Sequence, residues 1–201
     1  VGEWAKNGYG TTLRLDELYE LYLDYIPKYY EDGMPLSIML GGFFSADPYD
    51  KDSYDIPSYH YPMDPGKCVV CQHARLIMYI SPEGRLLPCM SLSASDIQQE
   101  FPNILEKGLL SCLDDSYYMD FISTRASKVF EHNSECSDCE YKVYCQGGCR
   151  AGGLEYSGNS DVMYRDESCC KLFKDGYAAR IIKLMHDKYP DIKAKLEEDE
   201  G

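Results

Sequence analysis

Four cysteines fall between Cys136 and Cys149 in the order C-x2-C-x5-C-x3-C, and no other stretch limits the fold so tightly. The residues between these thiols are too few to bury a core of their own. The spacing lets a loop wrap an inorganic centre with its thiolates converging, and Gly147-Gly148 supplies backbone without Cβ where the chain would pass close to metal and sulfide. Upstream stand Cys68-Val69-Val70-Cys71, then twelve residues, Gly84, four residues and Cys89; downstream stands the pair Cys169-Cys170. Ten cysteines in 201 residues are too sparse for a small disulfide scaffold, and clustered thiols in a reducing compartment more often hold metal than pair with each other. Cys112 lies in Leu109-Leu110-Ser111-Cys112-Leu113 and matches no ligand spacing, so it reads as a buried core thiol.

The remaining sequence supplies the frame. Leu15, Leu18, Tyr19, Tyr22 and Ile26 recur at helical spacing over Thr12 to Tyr30, with Asp16 and Glu17 in the opening turn and Gly33 after the end. The apolar run 36–44 reads as a short buried parallel strand, so residues 1–44 are expected to be one helix–strand unit of an α/β barrel. Residues 45–66, rich in Pro, Asp and Tyr, read as an irregular linker, with Tyr49, Tyr54, Tyr59 and Tyr61 sealing it. Strand, turn and strand follow across Pro82-Glu83-Gly84, a hairpin carrying Cys71 and Cys89 to one end. Helices are expected over 97–111, 116–130 and 172–188, with cysteine-punctuated loop over 134–170. An acidic tail occupies 189–201.

A net charge of −14 leaves no basic surplus to displace counterions from a nucleic acid, and no stretch reaches the ~18 apolar residues of a membrane span. The N-terminus, without Met and without a basic-then-apolar order, carries no expected signal peptide. The expectation is therefore a cytoplasmic protein with further sequence upstream.

The order C-x12-G-x4-C, a gap, C-x2-C-x5-C-x3-C, a gap and a last Cys resembles the seven-cysteine signature of SPASM domains, over residues 68 to 170. The resemblance implies an α+β arrangement: the end of a partial TIM-type barrel, then a cysteine-rich domain over 67–188 with a β-hairpin, cluster-binding loops and flanking helices. It implies two auxiliary [4Fe–4S] clusters. Cys71, Cys89 and Cys149, with Cys68 as fourth ligand, would hold the first; Cys136, Cys139, Cys145 and a distal Cys would hold the second. Cys170 is preferred for the distal position because Cys170-Lys171-Leu172-Phe173-Lys174 is similar to the helix start that follows the last ligand in relatives, with Cys169 as the alternative.

In that family a third [4Fe–4S] cluster and S-adenosylmethionine sit in the upstream barrel, and the enzyme draws electrons from a donor such as flavodoxin or ferredoxin. The C-x3-C-x2-C triplet of that catalytic cluster is absent from these 201 residues, so this chain alone is expected to be inactive. Its expected role is electron relay and engagement of a peptide substrate, with thioether cross-linking of a ribosomal peptide preferred over formylglycine-forming sulfatase maturation. The competing class is a zinc-binding interaction domain without catalysis, since C-x2-C pairs also make tetrahedral zinc sites. Arg75 and Arg150 are expected to hydrogen-bond cluster sulfur or a peptide carboxylate, and His73 to be an ordinary hairpin side chain.

Overall fold

The computed structural model describes residues 13–59, 62–71, 73–93, 95–114, 116–158 and 160–195. Helices and short strands are mixed along the chain, an α+β composition, and two compact units divide it. One is drawn from 64–142 and 146–167, the other from 13–63, 143–145 and 168–195. These units cut across the expected 67–188 domain, because the helices after 168 group with the N-terminal helix. No helix among the described residues is long and apolar enough to cross a membrane.

In the second of these units, helix Leu15–Glu31 begins where the Arg14 amide donates to the Glu17 carboxylate at 2.8 Å. Acidic residues in this first turn also suit the positive end of the helix dipole. Its buried side chains include Tyr19, Ile26 and Tyr29. Tyr19 stacks on Phe43 with ring centroids 4.7 Å apart and meets Tyr177 edge-on at 5.0 Å. Tyr177 opens helix Tyr177–Lys188, whose Ile181 and Met185 are fully buried. The helix expected as one piece over 172–188 is two, Glu167–Lys174 and Tyr177–Lys188, parted at Gly176 with φ 77°.

The run 36–44 does not form a buried parallel strand. Gly41 takes φ 60°, the Phe43 amide donates to Leu40 O, and the chain reverses. Ile38–Met39 then pairs antiparallel with Ser45–Ala46, leaving Met39 76% exposed. The Gly-Gly inside the apolar run is thus hairpin chemistry. The expected irregular linker also contains structure: Ser45–Asp47 and Asp50–Asp55 form a second hairpin, whose turn is set by the Tyr49 amide donating to Asp47 Oδ1 at 2.9 Å. Asp and Pro there are turn residues between strands. Lys193–Ala194 pairs parallel with Ser53–Tyr54 and completes a four-stranded sheet. Of the linker tyrosines, Tyr54 is buried and Tyr49 is 95% exposed; Tyr61 lies outside the described residues.

The unit containing 64–142 is built on the expected hairpin, Tyr79–Ile80 against Leu86–Leu87. The helix expected over 97–111 breaks into a 3-10 turn, Asp96–Glu100, and helices Ile104–Lys107 and Leu109–Cys112. Pro102 cannot donate to a helical bond, and Gly108 sits at φ 73°. The 116–130 stretch likewise divides into Tyr117–Ser123 and Ala126–His132, with Thr124 and Arg125 extended between them. Leu86, Leu87, Leu92, Phe101 and Tyr118 are at most 2% exposed and form the core with Cys112, which is fully buried as expected of a core thiol.

Phe101 is fully buried and meets Tyr117 and Phe121 edge-on at 4.8 and 5.6 Å. Phe101→Ala is expected to lower stability by about 3–5 kcal/mol, read as a lower midpoint in urea-induced unfolding followed by circular dichroism.

Candidate metal centre

The Cys68-x2-Cys71 segment is laid down by backbone pairing. Asp64 opens it with a turn in which the Gly66 amide donates to the Asp64 side chain at 2.8 Å. The Val70 amide then donates to Thr124 O at 2.9 Å, the Ala126 amide donates to Cys68 O at 3.0 Å, and Val69 bridges Arg125. The extended break between helices is therefore the strip that holds this segment straight. Cys68 is 4% exposed, with its Sγ 3.5 Å from Asp64 O. Burial pushes its thiol pKa up, Asp64 adds to the rise, and Arg125 opposes it. Cys71 is half-buried and close enough to Tyr118 to raise that phenol's pKa, which burial raises more.

Cys89 is positioned by the hairpin. Gly84 turns at φ 82°, and a Cβ there would fall 2.7 Å from Leu105 Cγ and 2.8 Å from Asn103 Oδ1. Asn103 fixes the tip: its Nδ2 donates to Glu83 O at 2.9 Å, and its Oδ1 accepts the Leu105 amide at 2.8 Å. Arg85 Nη1 donates to Phe101 O at 2.9 Å. With the tip and one edge of the hairpin held, the chain leaves Leu87 and delivers Cys89 to the rim of the core, where it packs half-buried.

Cys149 arrives from the other side. Gln146, Gly147 and Gly148 take φ 50°, 86° and 70° in succession, a left-handed run that turns the chain sharply after Cys145. A Cβ on Gly147 would fall 3.0 Å from the Val129 side chain, and one on Gly148 would fall 2.5 Å from Asp166 Cβ. Both glycines are thus demanded by protein neighbours, in addition to any close pass by an inorganic core. Cys149 then caps helix Arg150–Tyr156, and its amide donates to Asp166 Oδ2 at 2.9 Å.

Arg150 is 3% exposed. Its Nη1 donates to Val162 O and Tyr164 O, each at 3.0 Å, and its Nη2 donates to Gly147 O. The expectation that Arg150 reaches toward sulfur or a peptide carboxylate is corrected: these bonds make it a clamp between the glycine turn and the 162–164 loop. Arg75 and His73 are exposed in a 3-10 turn.

Cys149 is exposed by surface area, yet burial among surrounding protein atoms pushes its thiol pKa up. The Gly152 and Ala151 amides oppose that rise, while Asp166 and Cys89 add to it. The structure therefore brings Cys89 and Cys149 into electrostatic reach of each other, from positions sixty residues apart.

The C-x2-C pair of the second expected set is compact. Cys136 is 8% exposed in the turn Ser134–Ser137, and the Cys139 amide donates to Cys136 O at 3.2 Å. Cys145, Cys169 and Cys170 belong to the other unit. There Tyr144 stacks on Tyr59 at 4.9 Å, and the Cys169 Sγ lies 4.0 Å from Cys145 O. Cys169 is buried and Cys170, the one preferred from sequence, is half-buried.

Among the described residues, no three of His, Cys, Asp or Glu converge closely enough to hold a single metal ion. Thiolates on separate irons of a cluster need not converge on one point. Cys89 and Cys149 supply thiol donors of the kind such a cluster takes. Asp166, Asn103 and Thr124 carry no sequence signal of their roles, because each acts through backbone groups distant in the chain. Residues 71–140 match the family model of SPASM, an iron-sulfur cluster-binding domain. No curated protein and no solved structure gives a significant match.

Gly148→Ala places a Cβ against Asp166, whereas Gly158→Ala, also at positive φ, meets open space. Strain in the left-handed region costs about 1–3 kcal/mol in both. Gly148→Ala is expected to lose more stability than Gly158→Ala, and equal losses in urea unfolding would show that the Asp166 contact has no weight.

Proposed function

We propose that this chain carries the auxiliary iron–sulfur centres of a radical S-adenosylmethionine enzyme that modifies a peptide. The observation that carries the reading is a cysteine pattern whose 71–140 portion matches an iron-sulfur cluster-binding family; within it the fold brings Cys89 into electrostatic reach of Cys149. Cys71, Cys89 and Cys149, with Cys68 in support, would bind the first [4Fe–4S] cluster. Cys136, Cys139, Cys145 and one of Cys169 and Cys170 would bind the second, an assignment that rests on sequence spacing.

When bound, such clusters supply one-electron transfer at potentials set by net charge, hydrogen bonds to sulfur and solvent exposure. The chain's part is to present thiolates from fixed backbone, to bury some of them, and to leave the Cys149 side open. Chemistry on S-adenosylmethionine would belong to a barrel outside these residues, with a flavodoxin or ferredoxin as electron source. The substrate is proposed to be a ribosomal peptide and the product a thioether cross-link.

Anaerobic reconstitution followed by metal and sulfide analysis tests the cluster reading. About eight irons and about eight sulfides per chain are expected. Cys89→Ala and Cys149→Ala should each lower the iron by about four, whereas Cys112→Ala should leave it unchanged, since that thiol lies in the core. Two zinc ions without visible colour would overturn the proposal. For the reaction, the full enzyme is incubated with precursor peptides and the products are weighed by mass spectrometry. Loss of a pair of hydrogens without a new aldehyde and with a free Cys thiol consumed supports cross-linking, and an aldehyde captured by a hydrazide reagent, the mark of Cys or Ser converted to formylglycine, overturns it.

A further inference from the structure

Asp166 is 5% exposed, a carboxylate held inside the protein, and burying such a group is costly unless it is hydrogen-bonded. Its Oδ2 accepts the amide of Cys149 at 2.9 Å. The surroundings are shaped to admit it. A Cβ on Gly148 would fall 2.5 Å from Asp166 Cβ and one on Gly152 would fall 3.0 Å from Asp166 Cγ, so two glycines on either side of Cys149 leave the room this side chain fills. The loop that presents it is fixed independently. Arg150 binds Val162 O and Tyr164 O, while Asn133 Nδ2 donates to Met163 O at 2.8 Å and Asn133 Oδ1 accepts the Arg165 amide at 3.1 Å.

We infer that Asp166 is a positioning residue for the first cluster: its carboxylate orients the backbone of the ligand Cys149 and places a fixed negative charge beside that ligand's sulfur. The inference rests on the reading of Cys149 as a cluster ligand. The Cys149 amide and side chain leave the same Cα, so a bond that fixes the amide also fixes the direction of the Cα–Cβ bond that carries Sγ, leaving it a small set of staggered positions. Outer partners of this kind hold metal ligands in place and tune the metal they bind. Adding an electron to a cluster adds negative charge, and a neighbouring carboxylate opposes that addition. Asp166 therefore holds the first cluster at a lower reduction potential than the thiolates alone would set.

The test compares wild type, Cys149→Ala, Asp166→Asn and Asp166→Ala, all reconstituted anaerobically, by iron content and by midpoint potential from a titration followed by electron paramagnetic resonance. Asp166→Asn keeps an oxygen acceptor and the side-chain volume, so iron is expected at the wild-type level with the potential of one cluster shifted upward. Asp166→Ala leaves the buried amide without its acceptor, and iron is expected to fall from about eight toward about four. A potential in Asp166→Asn equal to wild type, or full iron in Asp166→Ala, overturns the positioning role. If wild type binds no iron, or Cys149→Ala loses none, the cluster reading itself fails, a result separable from failure of Asp166 alone.

Discussion

The left-handed turn Gln146-Gly147-Gly148 is the constraint on which the cysteine loop depends, and a buried arginine sets its shape. A guanidinium removed from water is tolerated only when its donors are matched. Arg150 turns both terminal nitrogens onto carbonyls from both sides of the loop, at Gly147, Val162 and Tyr164. The same bonds satisfy carbonyls that the irregular backbone leaves without helix or sheet partners. Lysine, a single ammonium on a flexible stem, lacks the fork that spans two loops at once.

Asp166 serves the same turn at Gly148 and Cys149. The two residues act on opposite polar groups of the same backbone, Arg150 on carbonyls and Asp166 on the Cys149 amide. Burial disfavours the thiolate of Cys149, and the Gly152 amide pulls the other way. Metal coordination requires the deprotonated sulfur, and a bound cation would offset the cost that burial places on it. Burial pushes the Cys68 thiol up as well.

Much of this chemistry was legible in the sequence, while its mechanical support was not. The turn chemistry of Pro82-Glu83-Gly84 between two apolar runs predicts a hairpin, and Tyr79–Ile80 pairs with Leu86–Leu87. The apolar neighbours of Cys112 predict a core thiol, and it is fully buried. Readings failed where a local signal had two physical solutions. The run 36–44 has the composition of a buried strand, but Gly41-Gly42 at its centre reverses the chain. Residues 45–55 have the Asp and Pro of a linker, and those residues form the turn of a hairpin. Helical periodicity over 97–111 and 116–130 persists across breaks at Pro102, Gly108 and Thr124-Arg125, because Phe101, Ile104, Cys112, Tyr118 and Phe121 on successive short elements pack into one core.

Roles carried by distant pairs had no such signal. Asn103, Thr124 and Asp166 are polar residues in ordinary company, and each becomes meaningful only where the fold sets it against Glu83, Val70 or Cys149. The motif glycines separate the two layers. Gly84 is required because Asn103 and Leu105 cross the hairpin tip, and Gly147 and Gly148 because Val129 and Asp166 occupy the space of a Cβ. Glycine in the cysteine pattern therefore records how protein packs against protein. The thiols alone carry the affinity for metal, and the polar residues that aim them lie outside any spacing rule.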